Sequence, residues 1–200
     1  MAQDSSKADF WDVRYQNNVT PWDSAGLPAG FVGQAQARLQ EKPQSRVLIP
    51  GCGTAYELAW LTAQGVEALA CDFSPHAVAR AKAAFPACAD RILQADFFGP
   101  AVEAAWDWVY ERAFLCALPP ALAARYAQRM AALIPPDGVL AGYFFLRDQP
   151  KGPPFGTSLA ELQQALSPCF KLEADHPVSG SLPVFAPDEH WLTWRRVAEV

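Results

Sequence analysis

Three points in this sequence carry residue types that suit one small ligand. The apolar run RVLIP, residues 46–50, breaks into Gly51-Cys52-Gly53. Glycines where a strand meets a helix let the backbone approach a ligand, and the free N–H groups of the helix start favour nucleotide-like groups there. Roughly twenty residues on, Asp72 closes VEALACD with Phe73 beside it, where a carboxylate can accept both hydroxyls of a ribose. Asp96 closes RILQAD and is followed by Phe97 and Phe98. An acid to accept from an exocyclic amine and an aromatic ring to stack suit an adenine.

The phosphate side of a nucleotide is not provided for. No Walker-type lysine follows the glycines, and Tyr56 stands where a nicotinamide fingerprint needs a third glycine. What remains is an adenosine ligand without phosphates. S-adenosylmethionine, with S-adenosylhomocysteine as its product, fits that description. Taken alone, Gly-Cys-Gly after a strand is also the pattern of a plain tight turn, so the three strand ends argue together.

The elements that must position these residues read as an α/β fold. Short β-rich runs alternate with helical ones from Arg46 onward, the pattern of a parallel sheet covered by helices. The spacing predicts strands over 46–50, 66–72, 91–96, 106–111 and 139–146. It predicts helices over 54–64, from Pro75 to Phe85, through Leu122, Tyr126, Met130 and Leu133, and over 158–166. Ser74-Pro75 is an N-cap with a first-turn proline. The run VLAGYFFL should lie inside the sheet. CFKLEAD and HWLTWRRV should pair antiparallel at its edge, making a mostly parallel seven-stranded, Rossmann-like sheet with helices on both faces. RDQPKGPPFGT, residues 147–157, is too rich in Gly and Pro for regular structure and reads as a long loop. Two helical stretches, around 8–17 and 28–40, precede the sheet and make 1–45 an N-terminal helical cap on a single domain of 1–200.

Composition narrows the partners. A formal net charge of -5 with scattered Lys and Arg argues against a nucleic acid backbone, and the hydrophobic share of 51% suits one compact core. No window approaches the roughly 18 apolar residues of a membrane span, and residues 1–10 are too polar for a signal peptide. A cytoplasmic protein, in all expectation a monomer, with reduced cysteines follows. The five cysteines form no CxxC pair, and the three histidines have no neighbours at metal-ligand spacing, so no metal is expected. Cys116, in FLCAL with no nearby histidine, reads as packing rather than a nucleophile.

WDVRYQNNVTPWD, VLIPGCGTAYELAWL, ACDFSPHAVARA, ERAFLCALPP and PPDGVLAGYFFL with KGPPF together resemble the thiopurine S-methyltransferase superfamily, including its thiol and halide branch, from about Phe10 to the C-terminus. The resemblance implies a class I S-adenosylmethionine-dependent methyltransferase. It also implies an N-terminal segment folded over the cofactor through Trp11 and Trp22, cofactor contacts at Gly51 and Gly53, and an acid at the ribose, here Asp72. Aromatic faces attract a sulfonium cation by about 0.5–2 kcal/mol, which agrees with that role for the tryptophans. Gly51 and Asp72 resemble the thiol and halide branch, whereas Arg112 matches an arginine of the thiopurine branch. Arg112 is accordingly read as both a cofactor contact and the catalytic cation, with a plain salt bridge to Glu111 or another carboxylate as the structural alternative.

Methyl transfer from a sulfonium is an in-line displacement in which alignment outweighs acid–base chemistry. A soft nucleophile such as a thiolate, thiocyanate or halide needs no obligatory base once stripped of water in an aromatic pocket. Trp22, Phe114, Phe155 and Phe185 are the candidate walls, with KGPPF as a lid and Arg112 attracting an anion or lowering a thiol pKa. The competing readings are a module that binds the cofactor without turning it over and, lower, a nicotinamide-dependent oxidoreductase. A nucleic acid methyltransferase ranks last, because Gly152 replaces the polar residue its Pro-Pro motif needs and the run follows the wrong strand.

Overall fold

The computed structural model describes residues 4–198. Seven strands form one mixed sheet in the order β3-β2-β1-β4-β5-β7-β6. The chain divides into two compact units, the first closing at Glu103 and the second opening at Ala104.

The first unit holds α1 (Ala8–Gln16), α2 (Phe31–Glu41), β1 (Arg46–Pro50), α3 (Tyr56–Ala63), β2 (Glu67–Asp72), α4 (Pro75–Ala84) and β3 (Ile92–Gln94). β1 pairs in parallel with β2, and β2 with β3. Parallel pairing requires crossover helices, which α3 and α4 supply, and burial on both faces makes β1 an almost unbroken apolar run. Ser74 caps α4 as its sequence predicts: its Oγ accepts from the Ala77 N–H, and Pro75 sits in the first turn.

The second unit holds β4 (Trp108–Arg112), α5 (Ala123–Leu133), β5 (Val139–Phe145), α6 (Leu159–Leu166), β6 (Phe170–Pro177) and β7 (Glu189–Arg196), with short 3-10 turns at Leu115–Ala117 and Pro120–Leu122. β4 and β5 are parallel, and β7 runs antiparallel between β5 and β6. All seven residues of β5 are buried, as its apolar run predicts. α5 buries Tyr126, Met130 and Leu133 from the expected stripe. A capping box between Ser158 and Glu161 starts α6. Residues 147–157 carry no regular element beyond a bridge between Leu146 and Thr157.

Several boundaries differ from the sequence reading, each for a local reason. α3 begins at Tyr56 rather than Thr54 because Ala55 is left-handed, with φ 62°, and its N–H turns back to the Cys52 carbonyl. β3 ends at Gln94 because the Asp96 carbonyl and carboxylate draw in the N–H groups of Gly99 and Phe98 and bend the chain. β4 begins at Trp108, since the Trp106 N–H is already taken by the Leu133 carbonyl.

Gly142 of β5 lies against Glu111 of β4 so closely that a Cβ there would sit 1.9 Å from the Glu111 carbonyl oxygen. Overpacking typically costs about 1–3 kcal/mol, and here the obstacle is backbone, which cannot rotate away. Gly142→Ala should therefore lose about 3 kcal/mol or more, read as a lower urea midpoint at unchanged m-value.

Candidate active site

The turn after β1 is built around two left-handed glycines, Gly51 at φ 58° and Gly53 at φ 52°. That conformation is open to glycine at little cost. A Cβ on Gly53 would meet the Tyr15 hydroxyl at 2.8 Å, so α1 comes down onto the bare part of the turn. Asp72, at the end of β2 and 7% exposed, holds the same turn from the other side. Its Oδ2 accepts from the Gly53 N–H at 3.1 Å and its Oδ1 from the Ser74 N–H at 2.9 Å. With the Phe73 backbone as a third donor, one of the carboxylate's roughly four lone-pair sites is left for a further donor. Burial pushes Asp72 up to about 6, although the Ser74, Gly53 and Phe73 backbone donors favour its charged form.

The N-terminal segment is fastened over this turn by two more carboxylates. Asp12 of α1 accepts from Ser74 Oγ at 2.7 Å and the His76 N–H at 3.0 Å, and its other oxygen lies 2.8 Å from His76 Nδ1. Desolvation alone would raise its pKa, but these donors hold it below the ordinary carboxylate value. Asp23, in the loop after α1, accepts from Thr54 Oγ1 at 2.8 Å and pairs with Arg80 at 3.3 Å. Between these anchors Trp22 donates through Nε1 to the Tyr15 hydroxyl, and its ring meets Trp11 edge-on at 5.3 Å. Trp11 donates its own Nε1 to the Ser5 carbonyl. The structure thus gathers Trp11, Trp22, Gly51, Gly53 and Asp72 in the first unit.

Asp96 and its neighbours fall out differently. Asp96 is exposed, and Phe98 keeps part of its surface accessible. Phe97 is only 3% exposed, with its ring edge-on to Phe98 at 5.3 Å, so it is a core residue with little face left for stacking. Phe73, next to Asp72, is half-buried.

In the second unit Arg112 ends β4, and its Nε is buried with no hydrogen-bond partner among the described residues. Glu111 is not its counter-ion. The Glu111 carboxylate accepts instead from the Phe114 and Leu115 N–H groups and from the Tyr126 hydroxyl. Glu189 is the carboxyl that feels the Arg112 charge: burial raises its pKa, against a Ser181 hydrogen bond and Arg112. Phe114 is half-buried. So is Phe155, whose N–H donates to the Cys116 carbonyl at 2.7 Å. Phe155 also lines a cavity of about 210 Å³ with Cys116, Tyr126, Phe144 and Leu162. Phe185 is a correction to the sequence reading: it is 2% exposed and packed on Phe145, with no surface to offer a ligand. Cys116 is buried and its thiol pKa is raised by desolvation, as a packing cysteine's should be.

Sequence reasoning missed Asp12, Asp23 and Tyr15 as individual site residues. Tyr15 lies four positions after Trp11, the same-face spacing of a helix, and was legible on that ground. The two carboxylates partner residues about 30 or more positions away, and nothing in the local sequence announces that.

The family model described as thiopurine S-methyltransferase (TPMT) matches residues 6–196. The chain belongs to this family. It is an S-adenosylmethionine-dependent methyltransferase. Two relatives are each 30% identical. The probable thiol methyltransferase 2 of Arabidopsis thaliana matches over 84% of this chain and 75% of its own length. The thiopurine S-methyltransferase of Pseudomonas paraeruginosa matches over 84% and 85%. Among solved structures, the Burkholderia thailandensis 1,6-didemethyltoxoflavin-N1-methyltransferase with bound S-adenosylhomocysteine superposes with a TM-score of 0.73. It is 18% identical over 96% of this chain and 87% of that one. The Synechocystis magnesium protoporphyrin IX methyltransferase gives 0.71 at 16% identity over 94% and 97%. At such identities these two show the shared fold.

The glycine turn fits the cofactor's demands, since its bare backbone gives an adenosine room and Asp72 keeps a lone pair for a hydroxyl donor. With Asp72 raised to about 6, the carboxylate is ionised at neutral pH and protonated below that value. S-adenosylhomocysteine affinity should therefore fall as pH drops through about 6, by about tenfold per unit below it. Calorimetric titration at a series of pH values checks this. Asp72→Asn should bind weakly with the inflection gone.

Proposed function

We propose that this enzyme methylates a small soft nucleophile, namely a thiol, thiopurine, thiocyanate or halide, in the cytoplasm and as a monomer. The observation that carries the reading is a cation at the end of β4, Arg112, whose buried Nε has no hydrogen-bond partner among the described residues, with the aromatic residues Phe114 and Phe155 in the connections after β4 and β5. An anionic or readily ionised sulfur or halide is attracted by such a charge and loses water against such rings. The names of the two relatives, a thiol and a thiopurine methyltransferase, support the same acceptor class. The net charge of -5 supports a small molecule over a nucleic acid, and among the described residues no helix is long and apolar enough to cross a membrane.

When bound, the cofactor supplies an electrophilic methyl group on a sulfonium. In this reading Gly51, Gly53 and Asp72 hold its adenosine part, with Phe73 and Asp96 extending that site, and Trp11 and Trp22 cover it. Arg112, Phe114, Phe155 and Trp22 bind and desolvate the acceptor. Gly51 and Asp72 resemble the thiol and halide branch and Arg112 the thiopurine branch, so the proposed acceptors span both.

Turnover is tested by measuring S-adenosylhomocysteine formation with iodide, thiocyanate, a simple aromatic thiol and a thiopurine. At least one of the four should turn over, small anions assigning the thiol and halide branch and the thiopurine the thiopurine branch. The reading fails if the protein binds the cofactor yet methylates none of the four. Phe155→Ala should raise the acceptor KM several-fold while S-adenosylhomocysteine affinity stays put, because Phe155 belongs to the acceptor side.

A further inference from the structure

Glu111 is the most deeply buried acid in the second unit, 1% exposed, and the transfer chemistry does not use it. Its Oε1 accepts from the Phe114 and Leu115 N–H groups, both at 2.9 Å, and its Oε2 from the Tyr126 hydroxyl of α5 at 2.7 Å. Between the strand and those amides lies Ala113 at φ 55°, a left-handed conformation unfavourable for an L-residue. The connection after β4 is therefore a strained turn closed over a carboxylate. It passes the constraint on, because the Cys116 carbonyl accepts the Phe155 N–H at 2.7 Å.

We propose that Glu111 is a positioning residue: its ionised carboxylate clamps the turn after β4 and, through Cys116, sets the placement of both Phe114 and Phe155, so that acceptor binding is gated by its protonation. The inference rests on the acceptor side being where Proposed function puts it. Three donors favour the charged form, yet burial wins and pushes Glu111 up to about 7. Its charge state thus changes across the neutral range. Protonation replaces charge-assisted hydrogen bonds with weaker neutral ones and adds a proton that must itself find an acceptor.

Glu189 of β7 is the other acid of this region whose pKa burial raises, so the substitutions at Glu111 and Tyr126 assign the titration. Tyr126 and Cys116 are both raised by burial and stay neutral. Glu161 of α6, on the wall of the same cavity, is committed to capping Ser158, which lowers its pKa. Tyr143 of β5 lines the cavity too. Arg112 is the neighbouring fixed cation, and Glu189 of β7 faces Arg112 and Cys116.

Two readouts test this on the intact protein. The first needs no turnover: amide hydrogen exchange at Phe114 and Leu115 is followed from about pH 8 to about pH 6 and corrected for the intrinsic rate. Wild-type protection should fall through about pH 7. Tyr126→Phe, which removes a donor that favours the ionised form, should move the inflection to higher pH, and Glu111→Gln should abolish it. The second is kcat/KM with an acceptor that does not titrate in this range, such as iodide or thiocyanate. It should follow the same inflection through acceptor KM, dropping at least about threefold in wild type and losing that pH dependence in Glu111→Gln. An exchange inflection unmoved by either substitution overturns the clamp. Exchange that moves while acceptor KM does not overturns the positioning role. Exchange that moves in a protein that turns over no acceptor leaves the clamp in place and instead removes the proposed function.

Discussion

A buried carboxylate at the C-terminal end of a parallel strand, closed over by backbone N–H groups of the turns around it, is the interaction on which this molecule depends. Parallel strands present their ends to irregular chain, and such chain has amides that must be satisfied wherever it is buried. Asp72 resolves this in the first unit by accepting from Gly53 and Ser74, tying the turn after β1 to the turn after β2. Glu111 resolves it in the second by accepting from Phe114 and Leu115. In both places desolvation outweighs the donors and raises the carboxyl pKa, to about 6 and about 7. Order in the loops is obtained by holding a charge where it is uncomfortable.

The fold was legible wherever periodicity carried it. β1, β2 and β5 read as apolar runs, α4 announced itself through Ser74-Pro75, and the C-terminal antiparallel pair followed from its alternation. The strand ends were less so, since Ala55 and Asp96 act through turn geometry that apolar patterning does not encode. Of the site, the glycines, Asp72 and the two tryptophans stood out because their residue types are informative by themselves. Phe97 and Phe185 show the opposite. A phenylalanine in a sequence states only that a ring will be buried, and whether it meets the core or a ligand depends on which way the chain turns after the strand.

Arg112 and Glu111 show why neighbouring charges in sequence are poor evidence of a pair. In a strand, successive side chains leave opposite faces, so adjacent Glu and Arg cannot readily meet. Glu111 goes to α5 and the following turn, and Arg112 is left with the distant Glu189 as its electrostatic counterpart. The acid that was the obvious partner by position is engaged in architecture, while the cation proposed to act in the chemistry keeps an Nε with no hydrogen-bond partner among the described residues.

The chain's own sulfur has a bearing on that chemistry. Cys52 stands buried inside the glycine turn and Cys116 buried inside the connection after β4. Burial first, and neighbouring acids next, hold both thiols far toward the protonated form. A thiolate at either place would be a competitor for any alkylating group brought to the protein, and a methylated cysteine is not readily restored. Desolvation keeps these two thiols protonated and unreactive, and the five cysteines form no disulfide among the described residues.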